Sequence, residues 1–395
     1  MSPAYLITLT IVSIIAILLL IVKFRMQAFV ALLLVSLLAA VVGGIPLAEV
    51  AGTIQEGMGS TLGYIAVVIG LGTMVGEILQ VSGGASQIAN TLVRAFGERK
   101  APWALSLIGL IIAIPVFFEV ALILFIPLVY DLTQRTGKSL LAYGIPLAAG
   151  IAVAHAFIPP TPGPVAVASL IGADLGWVIL IGLIAGVPAA ICGGIFFGKF
   201  ISQRIHIDVP LNMIPDVPEP ESGEQRRDPG FGVALLVIIT PLLLILLNTA
   251  SGVWLSEEHV VVRWLSFIGH PFSALILSAL MAFYFLGTRL GFTREEIQQV
   301  ATKSMEPVGM IILLTGAGGV FGRVLIEIGV GDVLVEILSS SNLPIVLFAF
   351  LISAVLRISQ GSATVAMVTT GGLIAPVIGI GDYSPPLVAA VTIAI

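Results

Sequence analysis

The sequence predicts an all-α polytopic membrane protein, and three observations predict it. The chain of 395 residues is 58% hydrophobic and only 10% charged, where a soluble domain carries roughly 25% charged residues. Uncharged runs such as 4–22 and 26–48 recur to its end, each long enough to cross a bilayer core. Sliding the chain by 246 positions places Gly63, Gly70, Gly72, Gly76 and Gly83 on Gly309, Gly316, Gly318, Gly322 and Gly329, which suggests an internal repeat.

Taken in order, spans are predicted near 4–22, 26–45, 60–81, 140–158, 176–200, 231–249, 270–287 and 306–326. The first is too long for a signal-peptide core, lacks a basic flank and runs straight into a second span, so it is read as retained. Two further apolar stretches, 101–130 and 343–378, carry a polar or proline break at their middle. They are read as re-entrant hairpins, acceptable at membrane depth where protein or water satisfies their tips. With the N-terminus outside, this topology sorts the charges: 14 of the 17 Lys and Arg fall inside, as short cytoplasmic loops require. Arg263, Arg323 and Arg357 are the exceptions, and the outer loops carry acids such as Glu49, Glu56, Asp174 and Glu327.

In this topology the first glycine series runs outside to inside and the second inside to outside. That makes two inverted-topology repeats, a construction of secondary transporters. Each repeat has a hairpin and a broken transmembrane helix, the second broken helix being cut off by the chain end. The division that follows is an N-terminal transmembrane half over 1–202, with hairpin 101–130 and broken helix 140–173. A proline-rich cytoplasmic linker covers 203–230, and a C-terminal half covers 231–395, with hairpin 343–378 and an incomplete last span.

Four prolines in AHAFIPPTPGP (154–164) lack the N–H that would bond the carbonyl four residues back. They are expected to strand the carbonyls of His155, Ala156, Ile158 and Pro160. A second half-helix starting at Gly163 and Pro164 would then offer the N–H groups of Val165, Ala166 and Val167 to an anion. The plainer alternative is an interface loop. His155 is a candidate proton carrier, against the alternative of a hydrogen-bonded packing residue. Glu119, at the tip of the first hairpin, is a candidate coupling site or half of a structural salt bridge, since an ionisable group at mid-membrane costs on the order of 2.5–3.5 kcal/mol.

The second hairpin tip, LRISQGSATVAMVTTGG (356–372), offers Ser359, Gln360, Ser362 and Thr364 to a polyhydroxylated solute, with Gly361 allowing close backbone approach. Thr369 and Thr370 are expected to bond their own backbone. Arg357 is a candidate partner for a carboxylate or for Glu119, or it snorkels outward. Glu77 and Arg323, aligned by the repeat near span ends, are read as interface residues. The single cysteine, Cys192, excludes an intrachain disulfide and a thiol-cluster metal site. There is no basic patch for nucleic acid, and no GxSxG, HExxH or paired intramembrane aspartates for an embedded enzyme.

On AHAFIPPTPGP, FFEVALILFIPLV (117–129) and LRISQGSATVAMVTTGG the chain resembles the gluconate permease family of proton symporters, within the wider group of inverted-repeat, paired-hairpin transporters. The resemblance spans essentially the whole chain. It implies import of gluconate or a related small hydroxy-carboxylate with protons, by alternating access across a bacterial inner membrane. It implies no enzymatic activity and no cofactor beyond the proton gradient, with Na⁺ coupling left open. The partners implied are a small anionic solute, the lipid bilayer and a second copy in a homodimer. Thr161, Gly163, Val165 and Ala166, with Arg357 and the second hairpin tip, would form the substrate site. Many relatives have tyrosine where Phe118 stands and histidine where Thr161 stands, so a carrier for another sugar acid or for D-serine is an alternative. Relatives also continue through a second broken helix, so more chain is expected beyond Ile395. A sodium-coupled carboxylate carrier, a channel and a membrane-embedded enzyme are the remaining alternatives.

Overall fold

In the computed structural model, described for residues 2–209, 229–256, 258–306, 308–341, 343–360, 363–381 and 383–395, every regular element among the described residues is helical. The first half holds α1 (Pro3–Leu18), α2 (Ala28–Val42), α3 (Leu47–Val81), α4 (Gly84–Phe96), α5 (Ala101–Ile112), α6 (Phe118–Thr136), α7 (Leu141–Phe157), α8 (Pro162–Ile171), α9 (Leu175–Ala190) and α10 (Phe197–Ser202). The second holds α11 (Phe231–Trp254), α12 (Val260–Ile268), α13 (Pro271–Met281), α14 (Arg294–Lys303), α15 (Val308–Glu327), α16 (Val330–Ser341), α17 (Ile345–Gln360), α18 (Ala363–Ile380) and α19 (Pro385–Ala394). π-turns extend α1 to Lys23, join α9 to α10, and lengthen α13.

Eight of the described helical segments are long and apolar enough to cross a membrane. Their outward faces carry Ile11, Ile15, Leu236, Leu243, Leu247 and Leu280, all exposed, a surface suited to lipid and not to water.

The predicted spans recur with shifted ends. Helix α3 starts at Leu47, thirteen residues before the predicted 60, so Glu49 and Glu56 belong to a helix and not to an outer loop. The run 26–45 shortens to the 15 residues of α2, about 22 Å, because Gly43, Gly44 and Pro46 stop it. Helices α4, α12, α14 and α16 were not among the predicted elements. Helix α4 places apolar and polar residues on two faces and buries Ala85, Ile88 and Ala89, so a search for long apolar runs passes over it. Of the predicted linker, 210–228 lies outside the described residues. Residues 205–207 pack back on the protein: Ser139 Oγ donates to the Ile205 carbonyl at 3.1 Å and accepts from the Ile207 N–H at 3.1 Å.

Helices α5 and α6 form a helical hairpin. Residues 99–103, before and at the start of α5, line the same cavity as 138–142, after α6, so the chain returns to the end it left. At 12 residues, α5 is about 18 Å long, too short to cross. Helices α5 and α7 run side by side in the same direction. A β-carbon on Gly109 would meet the Leu147 carbonyl at 2.6 Å, and one on Gly150 would collide with the Ser106 carbonyl. In the second half, α17 packs on α18, but α18, at 18 residues, is itself long enough to cross.

Helices α4 and α16 start 246 residues apart. Gly83 and Gly329 take φ of 77° and 82°, a left-handed backbone that glycine adopts freely, and each ends a long helix just before an amphipathic one. The chain divides into two compact units: 1–70, 162–181 and 307–395 form one, and 71–161 with 182–306 form the other. Each unit therefore combines segments of both sequence halves. In the first unit α1 packs on α2 and on α16; in the second α11 packs on α13 and on α4. The core of the second unit is built on Leu79, Ile88, Leu105, Ile108, Tyr143 and Leu147. The first is built on Leu32, Ala317, Phe321 and Leu325, with a further cluster around Val167, Ile374 and Val391.

Within the first unit, α3 and α15 cross through glycine. A β-carbon on Gly57 would lie 2.8 Å from Val320 Cα and 2.9 Å from Arg323 Cβ, and one on Gly319 would strike the Thr61 hydroxyl. Beside this crossing Arg323 reaches Glu56 at 3.0 Å and Glu327 at 3.4 Å. Arg323 is thus a helix-to-helix ion-pair residue, its charge matched by two carboxylates. Arg263, another exception, donates to the Glu258 carbonyl at 3.0 Å.

Candidate functional site

The tip of the first hairpin brings the two proposed proton carriers into one place. Helix α5 closes at Ile112, the chain turns over 113–117, and α6 begins at Phe118 with no side chain capping its N-terminus. Glu119 sits exposed in that first turn, where the helix dipole favours a negative charge. His155 lies in the last turn of α7, where the dipole favours a positive one. The rings of Phe117 and His155 are 6.4 Å apart between centroids and inclined by 58°. Glu119 is two residues along the chain from the Phe117 ring that His155 meets. His155 Nδ1 is buried and has no hydrogen-bond partner among the described residues.

Glycines of α3 hold this tip. A β-carbon on Gly76 would collide with the carbonyl of Pro115 at the hairpin turn, and one on Gly72 would touch Pro160 at 3.5 Å. Four residues apart, the two glycines lie on one face of α3, one against the hairpin and one against the break after α7. The repeat identified both residues in the sequence; their contacts were not legible there.

The break itself departs from expectation at one carbonyl. Ile158 does not stand unpaired: its carbonyl accepts the Thr161 hydroxyl at 2.6 Å and the Thr161 N–H at 3.3 Å. Thr161, 2% exposed, thus caps the break with its side chain. Pro159 and Pro160, joined by a cis peptide bond, and Pro164 donate nothing to the carbonyls of His155, Ala156 and Pro160.

In the first unit, α8 starts at Pro162, earlier than predicted. Its unpaired first-turn donor is then the N–H of Gly163, since Val165 and Ala166 enter the regular ladder. The side chains of Val165 and Ala166 are fully buried. A β-carbon on Gly163 would lie 2.5 Å from Met367 Sδ, and one on Gly371 would lie 3.0 Å from Leu170, so α8 and α18 pack closely. Helix α18 also meets α15, where a β-carbon on Gly322 would approach the Gly372 carbonyl at 2.9 Å.

Arg357 is exposed in the last turn of α17, and Thr364 is half-buried at the start of α18. Gly361, Ser362 and the side chains of Ser359 and Gln360 lie outside the described residues. Thr369 bonds the Val365 carbonyl at 2.8 Å, as expected of a membrane hydroxyl. Thr370 does not follow: its buried hydroxyl has no partner among the described residues.

A helical, multi-pass membrane protein with a short returning hairpin and a proline-broken helix has the build of a membrane transporter. Residues 5–395 match the family described as GntP family permease, and the chain belongs to that family. It is 42% identical to the low-affinity gluconate transporter of Escherichia coli K12 over 97% of this chain and 85% of that protein. It is 39% identical to a gluconate permease of Pseudomonas aeruginosa, over 95% of this chain and 83% of the other. For a gluconate permease of Bacillus subtilis the values are 36%, 96% and 86%. Among solved structures, the Alcanivorax borkumensis YdaH transporter, reported to have an unusual topology, shares the fold: TM-score 0.59 at 14% identity, over 92% of this chain and 85% of that one. The relatives are permeases and transporters, which sets aside the embedded enzyme.

Proposed function

We propose that this permease imports gluconate or a related small hydroxy-carboxylate together with protons, by alternating access across a bacterial inner membrane. Its N-terminus is periplasmic and its two repeats have inverted topology. The substrate assignment is carried by the 42% identity, over almost the whole chain, to a protein named as a gluconate transporter. The proton assignment is supported by Glu119 and His155 at one hairpin tip, where a carboxylate and an imidazole at opposite helix ends can share or relay a proton. The orientation is supported by the Lys and Arg bias, and the inversion by the glycine series. The solute's carboxylate is received near Gly163 and Arg357, and its hydroxyls near Thr364 and the second hairpin tip.

Counterflow tests the substrate. Proteoliposomes preloaded with gluconate take up labelled gluconate in a saturable way, and other sugar acids compete in order of their likeness to it. Competition by D-serine with none by sugar acids would move the assignment to the amino-acid branch, and no exchange of either class would sink it.

A further inference from the structure

The second unit holds a cavity of about 500 Å³ well separated in sequence from the hairpin tip. Arg99, Lys138, Lys199 and His206 line it, with Trp103 and Ser202 beside them. Among the described residues no carboxylate lines it; Asp208 lies 3.0 Å from His206. The cations come from three separate places: the residues before α5, the turn before α7, and the end of α10. Their convergence is held by backbone. Ser139 bonds both Ile205 and Ile207, and the Leu140 N–H donates to the Ile207 carbonyl at 2.8 Å, so the segment carrying His206 is fixed against the start of α7.

Three permanent cations gathered in one cavity repel each other unless an anion joins them. Helix ends mark the level where a bilayer gives way to water, and Trp103, 42% exposed, is the amphipathic residue typical of that level. Pro102, Ala142 and Ile195 give the cavity an apolar wall. Basic pockets of this kind between membrane helices suit phosphate groups, whose several oxygens accept from lysine and arginine together.

We propose that this cavity binds a phosphate-bearing anion, either the headgroup of an anionic phospholipid or a soluble phosphate ester. Bound there, it links the base of α5, the arm that carries the hairpin tip, to α7 and α10. The site does not depend on which solute is transported.

The full chain in maltoside micelles is titrated with short-chain phosphatidylglycerol and, separately, with glycerol 3-phosphate. Binding is read from Trp103 fluorescence, with Trp103→Phe as the blank, and from bound mass by native mass spectrometry. The Lys138→Gln/Lys199→Gln double variant removes two exposed cations, and its thermal midpoint in micelles checks that it is folded. Saturable binding of the lipid alone assigns a headgroup site, and binding of glycerol 3-phosphate assigns a soluble ester. In either case the double variant binds about tenfold more weakly or less still. No saturable binding of either probe, or equal affinity in the folded double variant, overturns the proposal.

Discussion

The imidazole of His155 faces the ring of Phe117 at 6.4 Å, so the last turn of α7 is docked on the hairpin that bears Glu119. Two segments more than thirty residues apart in sequence thereby share one exposed carboxylate and one buried nitrogen without a partner among the described residues. Removing the titratable group should separate binding from coupling. Glu119→Gln is expected to lose gluconate accumulation driven by a pH gradient, down to the level of empty vesicles, while keeping counterflow. His155→Gln tests the same step, and counterflow lost in both variants would assign the pair to solute binding instead.

Gly76 and Gly59 make a matched pair on α3. A β-carbon at Gly76 enters the Pro115 carbonyl, whereas one at Gly59 meets nothing within 4 Å. Gly76→Ala should cost about 1–3 kcal/mol and reduce transport by displacing the hairpin tip. Gly59→Ala should be neutral or stabilising by up to about 1 kcal/mol. Thermal unfolding in nanodiscs, read with uptake, distinguishes the two.

The Glu56–Arg323 pair joins α3 to α15 with Arg323 35% exposed. A double-mutant cycle with Glu56→Gln and Arg323→Gln should give a coupling of about 1 kcal/mol. The exchange Glu56→Arg/Arg323→Glu should recover part of it. A coupling of zero would mean that the glycine contacts at Gly57 and Gly319 hold this crossing by themselves.

Thr161 closes the break in the helix through its hydroxyl. Thr161→Val leaves the buried Ile158 carbonyl short of its strongest donor and should destabilise by about 1–3 kcal/mol. Thr161→Ser keeps the donor and should stay near wild type. Equal losses in both would point to packing by the methyl group.

Much of this architecture was legible in the residues. Uncharged runs located the long helices because only helices can hide their backbone in lipid. The proline at 115 and the prolines at 159–164 located the turns because proline cannot continue a hydrogen-bond ladder. What the sequence concealed depends on tertiary contact. The amphipathic α4 and α16 are too short and too polar to read as spans, and nothing along the chain says that Gly76 meets Pro115 or that Arg323 finds Glu56. The break was overestimated as a source of bare carbonyls because Thr161, read as a solute ligand, reaches back to Ile158. The basic cavity escaped notice because charges at 99, 138, 199 and 206 converge only through the fold.

The most direct test is accumulation of labelled gluconate in proteoliposomes of wild-type protein under an imposed pH gradient, inside alkaline, and under a sodium gradient at fixed pH. Proton coupling through Glu119 and His155 predicts accumulation above the outside concentration with the pH gradient alone, abolished in Glu119→Gln. Accumulation that requires sodium and ignores the pH gradient would contradict it.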